Sequence, residues 1–285
     1  MSWLTDHWSF DPFLIVVIVV AIWHEIGLAK LARRSPELTR QRRLRSLWFD
    51  AGLAVLLIAV LSPINYWSYD YFYVHMIQHL LLMFAAPTLV VAGAPWQALG
   101  AALPGPVSWT RPLQSVASWL LRPWVAIVTF NVVMVFWHLP ALLDLAEKNQ
   151  AVHVWCMITS FFLAGVLFWL QFIESPPFRR KMPLTSQAIA LVGTNIIMWV
   201  LAMAMGILTS ASWYSVYDHI RGVTLPAFAD QQIGAGILWI CGDFWAVPTL
   251  IYVVRKIIAE DGGIGSAVDS LLGRSSRRYE WANRS

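Results

Sequence analysis

His75 and His79 stand four residues apart in the run HMIQHLLLM, and Met83 continues the same spacing. Met134 precedes His138 by four residues, and His153 precedes Met157 by four, each in a separate hydrophobic segment. Residues at i and i+4 share one helix face with Cβ atoms roughly 5–6 Å apart, so each segment would present an imidazole beside a thioether. That donor pairing suits copper, above all Cu(I), whereas magnesium and calcium take oxygen ligands.

The elements that must carry these residues are membrane spans. The chain is 58% hydrophobic and only 13% charged, and its apolar residues gather into uninterrupted runs such as LIVVIVVAI. A span needs about 20 apolar residues. Seven windows meet or approach that length: 12 to 31, 47 to 64, 73 to 93, 122 to 142, 151 to 173, 185 to 208 and 231 to 254. A transmembrane barrel would instead show alternating polarity in segments of about 10 residues. The expected fold is all-α, a polytopic bundle of seven transmembrane helices over residues 1–260, followed by a disordered cytoplasmic tail, 261–285.

Of the 20 basic residues, all but Lys148 and Arg221 fall at or after the ends of spans one, three, five and seven. The positive-inside rule therefore puts the amino terminus outside and the carboxyl terminus in the cytoplasm. The net charge of +4 reflects this topology, and no basic stripe for nucleic acid is present. The first span, behind an acidic leader without Lys or Arg, is expected to be retained. Cys156 and Cys241 both fall inside spans and read as buried small apolar residues. Trp67, Trp119, Trp124, Trp137, Trp155 and Trp213 lie near span ends, where indoles favour the interface. The Pro-rich connection from Ala94 to Arg122 reads as a surface loop with a short amphipathic piece.

In this orientation His75, His79, His138 and His153 all occupy the outer third of their spans. Met83, Met134 and Met157 lie one turn further in, and Met198, Met203 and Met205 sit in the outer half of span six. Taken singly, each histidine is most simply an interfacial side chain and each methionine a gap-filler. Polar residues inside spans are costly and turn towards the bundle interior, so three helices carrying them at one depth point to a shared site. Gln78 and Asn131 could orient an imidazole, with interhelical hydrogen bonding as their plainer role. Asp243, near mid-depth in span seven, is either a pathway residue or paired with a neighbouring helix. His24 and Glu25 lie towards the cytoplasm, and Asp50 reads as a helix-start or interfacial charge.

The blocks HMIQHLLLMFAAPTLVVAGAP (75 to 95), FWHLPALLDLA (136 to 146), His153 to Trp169 and DQQIGAGILW (230 to 239) resemble the CtaG-type cytochrome c oxidase assembly factor family, of the multi-span kind. The resemblance covers residues 45 to 255. It implies a multi-pass protein of the bacterial plasma membrane that helps mature haem-copper oxidase, with oxidase subunits as partners. His75, His79, His138, His153 and Asp230 stand at the family's polar positions. Leu238-Trp239 departs from the Met-Trp pair expected there, so that sulfur is unavailable.

The resulting expectation is a transfer site, not an enzyme. It would hold Cu(I) from an external copper donor on His75 and His79 as primary ligands, completed by His138 or His153 and a methionine among Met83, Met134 and Met157, with Asp230 orienting an imidazole through its free N–H. Two other classes stand beside it: a membrane zinc metallohydrolase built on His75 and His79, without HExxH or GxSxG in the chain, and a haem-binding carrier using histidines from different spans.

Overall fold

The computed structural model describes residues 6–103, 115–116, 118–178, 182–218 and 225–260. The Pro-rich piece 104–114, the basic run 179–181, His219, Arg221 and the tail expected to be disordered lie outside the described residues.

Among the described residues the chain is all helix, with one isolated bridge between Ser175 and Phe178. In chain order the helices are α1 (Phe13–Arg34), α2 (Thr39–Leu61), α3 (Pro63–Ser68), α4 (Phe72–Gly93), α5 (Trp96–Ala102), α6 (Pro123–Trp137), α7 (Pro140–Lys148), α8 (Val152–Trp169), α9 (Leu184–Gly206) and α10 (Ala227–Glu260). Two carry π-helical turns, Leu81–Ala85 in α4 and Val152–Ile158 in α8. Such turns displace side chains from α-helical register and recur at functional sites.

Six helices (α1, α2, α4, α8, α9 and α10) are long and apolar enough to cross a membrane. The expected fourth span does not form one rod: α6 stops at Trp137, and α7 leaves at 73°. Pro140 is the cause, because its ring disfavours helical backbone at the preceding residue, and Leu139 is extended (φ −67, ψ 130). Seven crossings are reached only when this bent pair counts as one.

Helix α4 is central. Its second half packs along α2 and α8, its first half lies against α10, and α10 in turn runs alongside α9. Two glycines permit these close approaches. A Cβ on Gly234 of α10 would stand 2.5 Å from Cδ1 of Phe72, and one on Gly165 of α8 would stand 2.7 Å from the Met83 carbonyl oxygen.

Several sequence expectations need correction. Cys156 is exposed and Cys241 half-buried, both free, because each faces away from its helix's packed side. Trp137 is buried, its indole donating to Ser160 Oγ at 2.8 Å, and so does not belong to an interfacial belt. Asp50 lies mid-helix in α2, accepting from Ser46 at 3.3 Å, and starts no helix. Gln78 donates to Ala59 O and Asn65 Oδ1, and Asn131 to Ile127 O and Thr194 Oγ1, so both are structural ties. His24 packs on Phe49 with ring centroids 4.3 Å apart, and Glu25 pairs with Arg43 at 2.6 Å.

Candidate metal centre

Helix α4 begins after Tyr71, in extended backbone, with no capping side chain of its own. The cap comes from across the bundle. Asp230 Oδ2 accepts from Phe72 N at 2.7 Å, and Oδ1 accepts from Tyr73 N at 2.9 Å. The buried carboxylate satisfies two orphan amides and meets the positive end of the helix dipole. Asp230 therefore fixes the turn that carries His75. Its two oxygens serve backbone amides, not the imidazole N–H expected from the sequence.

From that start the histidines assemble. The His75 and His79 ring centroids are 4.1 Å apart, His79 and His138 5.3 Å, and His75 and His153 5.7 Å. None of the four is more than 1% exposed. Spans four and five thus bring their histidines to the same end of α4. Met83, Met134 and Met157 are buried on the same three segments.

His138 is the C-cap residue of α6 (φ −89, ψ −2), and its Nδ1 lies 2.6 Å from the Met134 carbonyl oxygen. A carbonyl only accepts, so Nδ1 carries the proton and Nε2 keeps its lone pair. The buried Tyr214 hydroxyl donates to His138 O at 3.0 Å and so holds the bend. Burial, reinforced by Asp144, pushes the Tyr214 phenol up, which keeps it protonated and donating.

The bend delivers a residue that sequence reasoning missed. Glu147, in the last turn of α7, places Oε1 2.9 Å from His153 Nδ1 and 3.0 Å from His75 Nδ1, with all three side chains fully buried. The His153 contact is an aligned hydrogen bond, whereas the His75 contact is short but misaligned, and we treat it as electrostatic. One ligand atom from each of His75, Glu147 and His153 can be chosen with all three within 4.8 Å of one another. Two donors about 2.1 Å from one tetrahedral ion stand about 3.4 Å apart, so the Glu147 contacts would lengthen slightly and the histidines draw together for these three to share one metal. Glu147 was visible only as the charged member of a buried stripe with Leu143 and Ala146 on a short amphipathic segment.

Hydrogen-bond accounting points the same way. Both nitrogens of His79, Nε2 of His75, His138 and His153, and Oε2 of Glu147 are buried without a partner. Buried polar groups are normally satisfied, and a cluster of orphans facing one another fits an ion.

Comparison with known proteins places this arrangement. The family described as cytochrome c oxidase caa3 assembly factor (Caa3_CtaG) matches residues 16–260. The chain belongs to that family. The match takes in every residue of the histidine cluster together with Glu147 and Asp230. Uncharacterised proteins of Mycobacterium bovis and Mycobacterium tuberculosis are each 25% identical over 280 residues, covering 92% of this chain and 41% of theirs. An uncharacterised protein of Mycobacterium leprae is 28% identical over 262 residues, covering 87% of this chain and 38% of its own. The chain thus spans about two fifths of the length of these curated relatives. No solved structure matches it significantly.

Proposed function

We propose that this chain is an assembly factor of the bacterial plasma membrane that takes copper from an external donor, holds it among His75, His79, His138 and His153, and passes it to cytochrome c oxidase. The observation that carries the reading is the set of neighbouring, buried imidazoles in which both nitrogens of His79 and Nε2 of His75, His138 and His153 have no hydrogen-bond partner among the described residues. Copper is cargo here, so the site needs no bond-making chemistry. Imidazole and thioether donors suit Cu(I), and Met83, Met134 and Met157 lie on the segments that carry the histidines.

Charge favours the monovalent ion. With neutral imidazoles and one carboxylate at Glu147, a bound Cu(I) leaves the buried site neutral, whereas a divalent ion leaves it with one positive charge. Uncompensated charge in a low-dielectric interior is expensive. Glu147 orients His153 through its Nδ1–H and sets the local charge, and Asp230 acts at one remove, through the start of α4.

The test pairs purified protein with cells. His75→Ala combined with His79→Ala should abolish copper retention in detergent. Cells lacking the chain should make copper-poor oxidase, and added copper should restore it. Unchanged copper stoichiometry in the double variant, or normal oxidase copper in the deleted strain, would overturn the proposal.

One observation favours a second reading. Two histidines and a glutamate are a donor set used by zinc hydrolases, and His75, His153 and Glu147 supply it. Such an enzyme keeps an open ligand position reached by substrate, yet these three side chains are fully buried. Zinc in metal analysis together with hydrolytic turnover would decide for it.

A further inference from the structure

Asp243 stands at the centre of the apolar part of α10. Between Gln232 and Arg255 the helix runs from 233 to 254 with Asp243 as its only Asp, Glu, Lys, Arg or His. At 1.5 Å per residue the carboxylate is roughly 16 Å from either polar end, about the middle of a bilayer. Oδ1 accepts from Asn195 Nδ2 at 2.9 Å and from Trp199 Nε1 at 3.2 Å, both on α9. Oδ2 has no partner among the described residues, and the side chain is only half-buried. Its stripe on α10 continues through Ile240, Phe244 and Val247, all exposed, with Phe244 at 72%. The carboxylate therefore lies on an outward, otherwise apolar face shared by α9 and α10.

Ionisable groups at mid-membrane depth ordinarily face a bundle interior or cavity and pair there. The described residues supply neutral donors to one oxygen and none to the other. Lipid tails carry no donor. A second copy related by a two-fold axis through this face would set Asp243 against its own equivalent, two carboxylates that repel unless they share a proton. A cation on a further transmembrane helix complements the open oxygen directly.

We infer that the α9–α10 face docks a membrane-spanning helix of another protein, through an ion pair between Asp243 and a Lys or Arg in the middle of that helix. The surface lies well down α10 from Asp230, and the inference does not depend on copper. The half-satisfied carboxylate specifies the partner.

The test places a photoreactive benzoylphenylalanine at Ile240 or Val247 of the full chain in native membranes and maps the adduct by peptide mass spectrometry. The expected adduct lies in the central part of a foreign transmembrane helix, within about two turns of a Lys or Arg. Asp243→Asn and Asp243→Leu should lose it, and Asp243→Glu should keep it. Leucine at this depth suits insertion, so Asp243→Leu also controls for folding, and copper retention in the same preparations separates failure here from failure of the copper reading. Adducts confined to lipid or to a second copy, a partner helix without a central cation, no protein adduct, or a yield that Asp243→Asn leaves unchanged would each overturn the inference.

Discussion

Glu147→Gln is the substitution that best separates a metal-holding role from a packing role. It keeps the side chain's volume and a carbonyl acceptor while removing the charge. Because Glu147 Oε1 lies 2.9 Å from His153 Nδ1 and 3.0 Å from His75 Nδ1, one change acts on two of the four imidazoles. Removing a group that orients metal-binding histidines typically weakens binding about 10–100-fold, or about 1.4–2.7 kcal/mol. Here the charge that neutralises Cu(I) goes as well, so the effect belongs towards the upper end of that range. In metal-free protein the effect is smaller: the glutamine carbonyl still accepts from His153 Nδ1–H while the cost of burying a charge is removed, so the two changes offset. The assay is Cu(I) competition against a chromogenic chelator, with thermal unfolding of the metal-free protein in the same detergent. Weaker binding with an unchanged or raised metal-free melting temperature is the expected pair of results. Affinity within about threefold of wild type, well short of the shift expected for such a group, would refute the argument. So would a lowered metal-free melting temperature with copper binding intact, since Glu147 would then be a structural pin.

Asp230→Asn leaves one acceptor where two amides now bond, so stability should fall by about 1.5–3 kcal/mol with or without copper, at wild-type copper stoichiometry. Lost stoichiometry with unchanged unfolding would make Asp230 a ligand instead. Topology is checked in a chain whose Cys156 and Cys241 are serine: a membrane-impermeant maleimide should label Lys148→Cys in intact cells and Arg40→Cys only after permeabilisation, both positions being exposed. The opposite pattern would invert the orientation read from the basic residues.

What the sequence could and could not convey follows from distance along the chain. Spans are local: twenty apolar residues in a row announce a helix whatever surrounds them, and six of the seven windows are helices long enough to cross. The remaining window, 122 to 142, is a bent pair because apolarity carries through the HLP triplet at 138–140 while the straight helix does not, and Pro140 was the visible warning. The i, i+4 spacing put His75 and His79 on one face, and their neighbours in the fold are the expected His138 and His153. The two acids were not legible. Asp230 reaches amides 158 positions away, at the start of α4, and Glu147 joins the cluster only because α7 turns back at 73°. Neither contact leaves a periodic trace.

The cluster is held by groups that would not bind metal. Asp230 anchors the start of α4, Tyr214 braces the carbonyl of His138, and Gly234 and Gly165 let α10 and α8 close on α4. An unsatisfied buried polar atom costs about 1–3 kcal/mol. Both nitrogens of His79, and Nε2 of His75, His138 and His153, lack hydrogen-bond partners among the described residues. So many orphans in one place persist only where the surrounding structure fixes them, and they cluster where the unfavourable arrangement is part of the function. Leucine at these positions would remove the desolvation cost, so the buried imidazoles are the feature of this frame that the proposed copper role would account for.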